Sequence, residues 1–367
     1  MKIVYTYHCC QQAVGGISRY FFEIYRRVSK NVKVDIQSHY MNNIYFSQII
    51  HGKKKDICKR PFLTKYHIRN LIENWFMFKH LRNSNAEIVH LTGESPWVFY
   101  CINRKKRVVV TIHDMIPELN HNYRRIFPRK QCIKKADAII CVSNNTKEDL
   151  LNIYPDIDKN KIFVIYHGYE NKPTDQVVGK KEFVNLNLKK YLLYVGVREG
   201  YKNFNTMLKA IAPILKEKDI ELVCTGHPFD LYEQKLIDEL NIKDYVKNVG
   251  FVSEQLLVQL YKGAATFIFP SKYEGFGIPI LEALSNNCPL CLSNTSCFPE
   301  IAADAGAYFN PDSVESIEEC VRKVLDDEPY RTYLIEKGKD RVKLFSWDTA
   351  ANKTLEVYKW LLNKENK

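Results

Sequence analysis

Glu274 and Glu282 are carboxylates with seven residues between them, in the stretch FIFPSKYEGFGIPILEA (267–283). Neither can hold a phosphate, but each can accept hydrogen bonds from hydroxyls, which is what a sugar or a ribose offers. Between them the pattern passes from an apolar strand through a two-glycine turn into a helix, with Pro279 suited to the first helical position because its missing N–H would be unpaired there. The first N–H groups of such a helix lack partners and its dipole favours negative charge, so the same turn can receive an anion. Gly275 and Gly277 let a ligand approach the backbone closely. Arg198 and Lys202, four residues apart after a strand that ends at Gly196, can converge on one anion such as a leaving diphosphate, the first as a planar fork and the second as a point charge. A salt-bridged surface pair is the alternative. In VVVTIHD, His113 and Asp114 fall just past a strand end. There a histidine can bond a substrate, act as acid or base, or serve only to bond backbone. Gly15-Gly16 opens a helix after the first strand, a second place for phosphate or simply a loop turn.

These residues need strand ends to hold them, and the chain supplies strands throughout. Short Val- and Ile-rich segments alternate with helical ones, which predicts parallel sheets covered by helices. The expected strands are 3–7, 32–38, 87–91, 108–112, 138–142 and 162–166, then 191–195, 221–225, 246–250, 266–269 and 289–293. Helices are expected at 18–29, 67–81, 146–152 (capped by Asn144) and 349–362. The charged, Gly- and Pro-bearing stretch 168–190 breaks the alternation and reads as a domain linker. The fold class is α/β, with two Rossmann-like doubly wound domains facing a cleft. Residues 1–170 form the first and 171–348 the second. Ligands are expected at the carboxyl ends of the strands. The span 39–74 is the least readable.

At 367 residues the chain is long for one core and suits two. No apolar run approaches the roughly 20 residues that span a bilayer. The start, MKIVYTYHCC, enters a strand without a signal peptide's apolar region, so a cytoplasmic protein is expected. The 11 cysteines, an odd number, agree with a reducing compartment, and the Cys288/Cys291 pair in CPLCLS reads as buried strand and not as a metal or redox site. Of the net charge of +12, residues 1–168 carry 28 Lys/Arg against 13 Asp/Glu, or +15, leaving −3 for the rest. The excess concentrates at 53–60, 104–107 and 124–135. Such a field draws an anionic lipid surface, a lipid-linked diphosphate or nucleic acid, or only keeps the protein soluble. No recognition-helix or base-stacking motif supports nucleic acid.

In these residues the chain resembles the retaining GT-B glycosyltransferases of glycosyltransferase family 4. The resemblance runs nearly end to end through GGISRYF (15–21), TIHD (111–114), CVS (141–143), YVGVREGYKNF (194–204), EGFGIPILE (274–282) and the closing FSWDTAANKTLEVY (345–358). It implies a GT-B fold whose C-terminal helix, 349–367, crosses back to the N-terminal domain. It implies a nucleotide-sugar donor on the C-terminal domain and an acceptor on the N-terminal one, with 39–74 on the acceptor side. By the same likeness Arg198 and Lys202 hold the diphosphate, Glu274 the donor-sugar hydroxyls and Glu282 the ribose. Backbone N–H groups of Gly275, Phe276 and Gly277 help place sugar and phosphate. Gly16 comes near the phosphates, His113 near the donor sugar, and Gly226 and Val252 border the nucleoside. One departure stands out: YHGYE (166–170) replaces the Asn-Gly pair of many relatives.

The implied function is a metal-independent retaining hexosyltransferase without a cofactor. Its donor is a GDP- or UDP-sugar, GDP-mannose-like, and its acceptor a lipid-linked saccharide in bacterial O-antigen or capsule synthesis. It would be cytoplasmic and peripheral on the membrane. A nucleotide-sugar epimerase, or a non-catalytic GT-B subunit that activates a partner, would share the fold.

Overall fold

A computed structural model describes residues 1–11, 15–36, 38, 43–48, 62–102, 106–170 and 182–363. The basic run 53–60, Arg104 and Lys105, much of 39–61 and the middle of the expected linker (171–181) lie outside the described residues. The chain divides into two compact units, Met1–Gly168 with Ser346–Lys367, and Tyr169–Phe345.

Unit 1 holds β1 (Lys2–Tyr5), β2 (Lys33–Ile36), β3 (Ile88–Leu91), β4 (Arg107–Ile112), β5 (Ala138–Cys141) and β6 (Ile162–Val164), all parallel in the order β2-β1-β3-β4-β5-β6. Helices cover both faces of such a sheet, so its strands are apolar on both sides, and β3 and β5 are buried at every residue. The helix Gly16–Val28 lays Tyr20, Phe21 and Ile24 against Trp347, Ala350, Leu355 and Tyr358 of the closing helix, Trp347–Asn363. That helix therefore belongs to the core of unit 1, although the whole of Tyr169–Phe345 separates it from the rest in sequence. One buried polar network runs beneath it. The Tyr358 hydroxyl lies 3.0 Å from the Tyr5 hydroxyl and 2.6 Å from Nδ1 of His90, whose Nε2 is 2.8 Å from Thr111 Oγ1.

Unit 2 holds β7 (Tyr191–Tyr194), β8 (Glu221–Cys224), β9 (Val246–Asn248), β10 (Thr266–Phe269), β11 (Leu290–Ser293) and β12 (Gly306–Phe309), parallel in the order β12-β11-β10-β7-β8-β9. The helix Phe204–Lys218 follows β7 and buries Phe204, Met207, Leu208, Ile211 and Leu215, the one-sided spacing of a helix lying on a sheet. Eleven of the twelve strands match the expected segments. The twelfth, GAYF, has no β-branched residue and sits at the sheet edge, so composition does not mark it. The cap of the helix Asn144–Ile153 is Ser143 and not Asn144: the serine's Oγ accepts from the Thr146 amide at 3.0 Å. Cys288 and Cys291 are core residues, both buried.

Both strand orders reverse once, between β1 and β3 and between β7 and β10. At such a point the loops leaving the two strands diverge to opposite sides and open a crevice at the carboxyl edge. The loops after β7 and β10 carry Lys202 and Glu274.

Candidate active site

The loop after β7 runs from Gly196 through a single 3-10 turn, Gly200–Lys202, into the helix Phe204–Lys218. The loop after β10 runs from Pro270 to Gly277, where the helix Ile278–Ser285 begins. Gly277 has φ +81°, and a Cβ there would meet the Ile280 side chain at 3.1 Å, so this turn requires glycine. The loops are tied by the Lys272 amide, which donates to the Tyr201 carbonyl at 2.8 Å. Across this junction the Lys202 ammonium lies 2.5 Å from Glu274 Oε1. Both side chains are largely buried, 15% and 14% exposed, so the pair is little screened by water. The Tyr201 and Phe269 rings lie 5.1 and 5.8 Å from the ammonium. One of the three ammonium donors is spent on Glu274, and two remain for an anion.

Arg198 behaves differently from the expectation. The structure does not bring it and Lys202 onto a common acceptor. Its Nε meets Glu233 Oε1 at 2.8 Å, and its other nitrogens donate to the carbonyls of Thr225, His227 and Pro228. The guanidinium lies over the Phe229 ring at 4.8 Å and is 5% exposed. Glu233 is itself fixed, because its second oxygen closes the capping box with Asp230 at the start of the helix Leu231–Glu239. Arg198 thus anchors the loop that contains Gly226. Gly226 has φ +104°; its amide donates to the Gly250 carbonyl at 2.8 Å, and a Cβ there would come within 3.1 Å of the Gly196 carbonyl oxygen. These contacts bind the ends of β7, β8 and β9 into one wall, with half-buried Val252 two residues past Gly250.

Glu282 sits on the helix Ile278–Ser285, and its Oε2 accepts from the Tyr261 hydroxyl at 3.2 Å. Burial pushes the Tyr261 phenol well above its ordinary range, so it stays a donor. Phe276 is buried, its ring edge-on to Phe345 at 5.9 Å, which leaves its backbone as the group that can meet a ligand. Three contributors escaped the reading of the sequence: Glu233, Tyr261 and Ser296. All lie outside the motifs, and only tertiary contact gives them meaning.

In unit 1, Gly16 begins the helix that follows β1, and His113 comes directly after β4. They share a cluster: Tyr20, one turn into that helix, meets the His113 ring edge-on at 5.0 Å and stacks on His167 at 4.9 Å. Among the described residues His113 Nε2 is buried without a hydrogen-bond partner. Burial above all, then the nearby Arg129, lowers the His113 pKa to about 3. It is neutral at physiological pH, which suits hydrogen bonding to a substrate better than proton donation. His167 is a buried ring against Tyr20 and Trp347. Gly168 after it is forced, because a Cβ would meet the Trp347 backbone nitrogen at 2.0 Å. Among the described residues no group of three His, Cys, Asp or Glu gathers as around a metal ion, and no helix is long and apolar enough to cross a membrane.

Comparison with known proteins covers both units. Residues 14–171 match the family model Glycosyltransferase Family 4, and residues 180–341 match Glycosyl transferases group 1. The chain is 26% identical to the O-antigen chain mannosyltransferase B of Escherichia coli over 98% of this chain and 100% of that protein. Among solved structures, sucrose-phosphate synthase from Thermosynechococcus elongatus superposes with a TM-score of 0.78 at 18% identity, over 99% of this chain and 100% of that one. Anabaena HepE in complex with UDP-glucose superposes with a TM-score of 0.75 at 14% identity, over 98% and 99%.

Proposed function

Because this chain belongs to the family 4, group 1 glycosyltransferases and has the GT-B fold, we propose that it is a retaining, metal-independent hexosyltransferase using a GDP-mannose-like donor. The observation that carries this reading is the Lys202–Glu274 pair at the β7/β10 switch point. Lys202 offers its two remaining donors to the diphosphate, and the Glu274 carboxylate accepts from a donor-sugar hydroxyl. Glu282, steadied by Tyr261, takes the ribose, and the Gly226–Val252 wall borders the base. In unit 1, Gly16 and neutral His113 are the residues to which family likeness gives a donor contact. Arg198 acts by holding the wall in place.

In the reaction the bond from the anomeric carbon to the diphosphate lengthens and breaks. The acceptor hydroxyl attacks the same face and forms the new glycosidic bond, and the departing phosphate takes its proton. Negative charge grows on the diphosphate as this happens, and fixed positive charge from Lys202 is placed where it is needed. With that charge supplied by a side chain, the step needs no metal.

The acceptor is a saccharide, lipid-linked, in bacterial surface polysaccharide synthesis. The E. coli relative's name supports this, and so does a surface of unit 1 suited to an anionic membrane on the cytoplasmic side. The helix Tyr123–Lys135 carries no acid and five Lys/Arg besides the buried Arg129. Beside them Tyr123, Phe127, Trp97 and Tyr100 are all more than 60% exposed, and Lys135 Nζ lies 5.2 Å from the Tyr100 ring. Bare aromatics among cations are the composition of an interfacial helix. The protein is expected to bind vesicles containing anionic lipid at low salt and to release them as salt rises. Tyr123→Ala with Phe127→Ala should weaken that binding. No binding even at low salt would remove the membrane from the proposal.

The donor is tested by thermal shift against GDP, UDP, ADP and their common sugar conjugates, without metal. A ligand at a hundred times its Kd stabilises by about 2.7 kcal/mol. A selective shift with GDP-mannose is the expected result, a shift with UDP-sugars alone would replace the base, and no shift across the panel would count against a donor site.

A further inference from the structure

We infer that Ser296 is a positioning residue for Glu274, holding that carboxylate at the height of the donor sugar. The inference rests on the reading of Glu274 given above and adds to it a residue on a different strand loop.

Three contacts carry it. The Glu274 amide donates to Ser296 Oγ at 3.1 Å, and Ser296 Oγ donates to the Glu274 carbonyl at 2.6 Å. A single hydroxyl therefore satisfies both backbone groups of the residue whose side chain faces Lys202. The preceding residue repeats the pattern, since Thr295 Oγ1 donates to the Lys272 carbonyl at 3.0 Å. The loop after β11 grips the loop after β10 in two places, while the Lys272 amide ties it to the loop after β7 on the other side. Residues 272–274 are thus held between neighbours on both flanks, and the Glu274 side chain has little freedom except at its own torsions.

The backbone of Ser296 shows that this is not an incidental turn. Its φ is +56°, the left-handed region, where a residue with a Cβ is uncommon and glycine or asparagine is favoured. A non-glycine residue kept in that conformation must be over-determined by its surroundings. What serine brings that glycine lacks is the hydroxyl, and both its donor and its acceptor capacity go to Glu274. The footing is firm, because Cys297 is fully buried and leads into the helix Phe298–Ala302.

The left-handed φ also makes a clean test. Ser296→Gly removes the hydroxyl while relaxing the backbone, so any loss it causes cannot come from strain. Two readouts are expected from the full-length enzyme. Hydrogen exchange, which needs no substrate, should show peptides covering 271–277 exchanging faster in Ser296→Gly, with the melting temperature kept. Turnover, read as GDP released from GDP-mannose or UDP from UDP-glucose, should fall about ten- to a hundredfold through kcat, because a misplaced group costs rate at that scale. KM for the nucleotide sugar should move much less, since diphosphate and base contacts lie elsewhere. Unchanged exchange at 271–277 would overturn the inference, as would wild-type kcat in Ser296→Gly. Glu274→Gln separates the two layers: if it loses rate and Ser296→Gly does not, the inference fails alone. If Glu274→Gln is itself as fast as wild type, the reading of the site fails with it.

Discussion

Lys202→Ala is expected to lower turnover on the order of a hundred- to a thousandfold, the usual loss when one preorganised donor to a developing negative charge is removed. Lys202 Nζ is held 2.5 Å from Glu274 in a setting where each side chain is about one-seventh exposed. Its orientation is set before the donor arrives, and the low local dielectric makes its field count for more than in water. Glu274→Ala should fall comparably for a second reason, since it removes the sugar contact and releases Lys202 together. Arg198→Ala is the control that separates grip from scaffold. Its partner Glu233 is 6% exposed and would be left charged and buried without its cation, a change that costs about 3–5 kcal/mol. Arg198→Ala is therefore expected to lose stability first, with a lower melting temperature, whereas Lys202→Ala keeps most of its stability and loses rate. Steady-state kinetics and melting curves on the three variants decide it. Wild-type turnover in Lys202→Ala would remove this residue from the site.

The contrast between those two cations also marks where sequence reading succeeds and where it stops. Strand ends, the two-glycine turn and the order of elements are local, and they appear in composition and spacing: β10, the turn at Gly277 and the helix Ile278–Ser285 fall where FIFPSKYEGFGIPILEA predicts them. That Lys202 lies past the carboxyl end of a strand follows from the strand alternation. Which acceptor each cation finds does not. Arg198 and Lys202 are four residues apart and look equivalent, yet a 3-10 turn between them sends one inward to Glu233, 35 residues on, and the other across to Glu274, 72 residues on. Tyr261 and Ser296 were invisible for the same reason, because a tyrosine within a helix and a serine in a turn carry no signal until a neighbouring loop is placed against them. The edge strand Gly306–Phe309 was missed at the level of composition, and the Ser143 cap by one residue.

Acid should unfold unit 1 well before unit 2, because buried histidines are confined to unit 1. His90 is fully buried in β3, bonded at both ring nitrogens, and its pKa is lowered to about 3, by burial first and by His113 second. His167 is also buried and is held well below its ordinary range, by burial first and then by His113 and Arg19. His90 is neutral in the fold from pH 7 to pH 4, and His167, lowered by the same cause, takes up its proton at a lower pH than the unfolded chain does. The unfolded chain protonates the same residues near pH 6.5, so below that pH it binds more protons than the native state and is favoured. The stability they confer is complete above about pH 6.5 and is lost as pH falls toward their native values. A fully effective histidine contributes a slope of about 1.4 kcal/mol per pH unit, so His90 alone removes roughly 2 kcal/mol between pH 6.5 and 4.5, and His167 acts in the same direction. That is a substantial part of the stability of an ordinary domain, about 5–15 kcal/mol. Unit 2 contains a single histidine, His227. All four tryptophans (75, 97, 347 and 360) belong to unit 1, so their fluorescence follows its unfolding alone. Urea titrations at pH 7.5, 6 and 5 should show the fluorescence midpoint dropping steeply while circular dichroism retains a later, less pH-sensitive transition from unit 2. His90→Gln should be less stable at pH 7.5, where the network under the closing helix loses a member, yet its stability should fall less steeply on going to pH 5. A fluorescence midpoint that does not move between pH 7.5 and 5 would mean that these imidazoles find protons without unfolding, and that the polar network beneath Tyr358 opens to water.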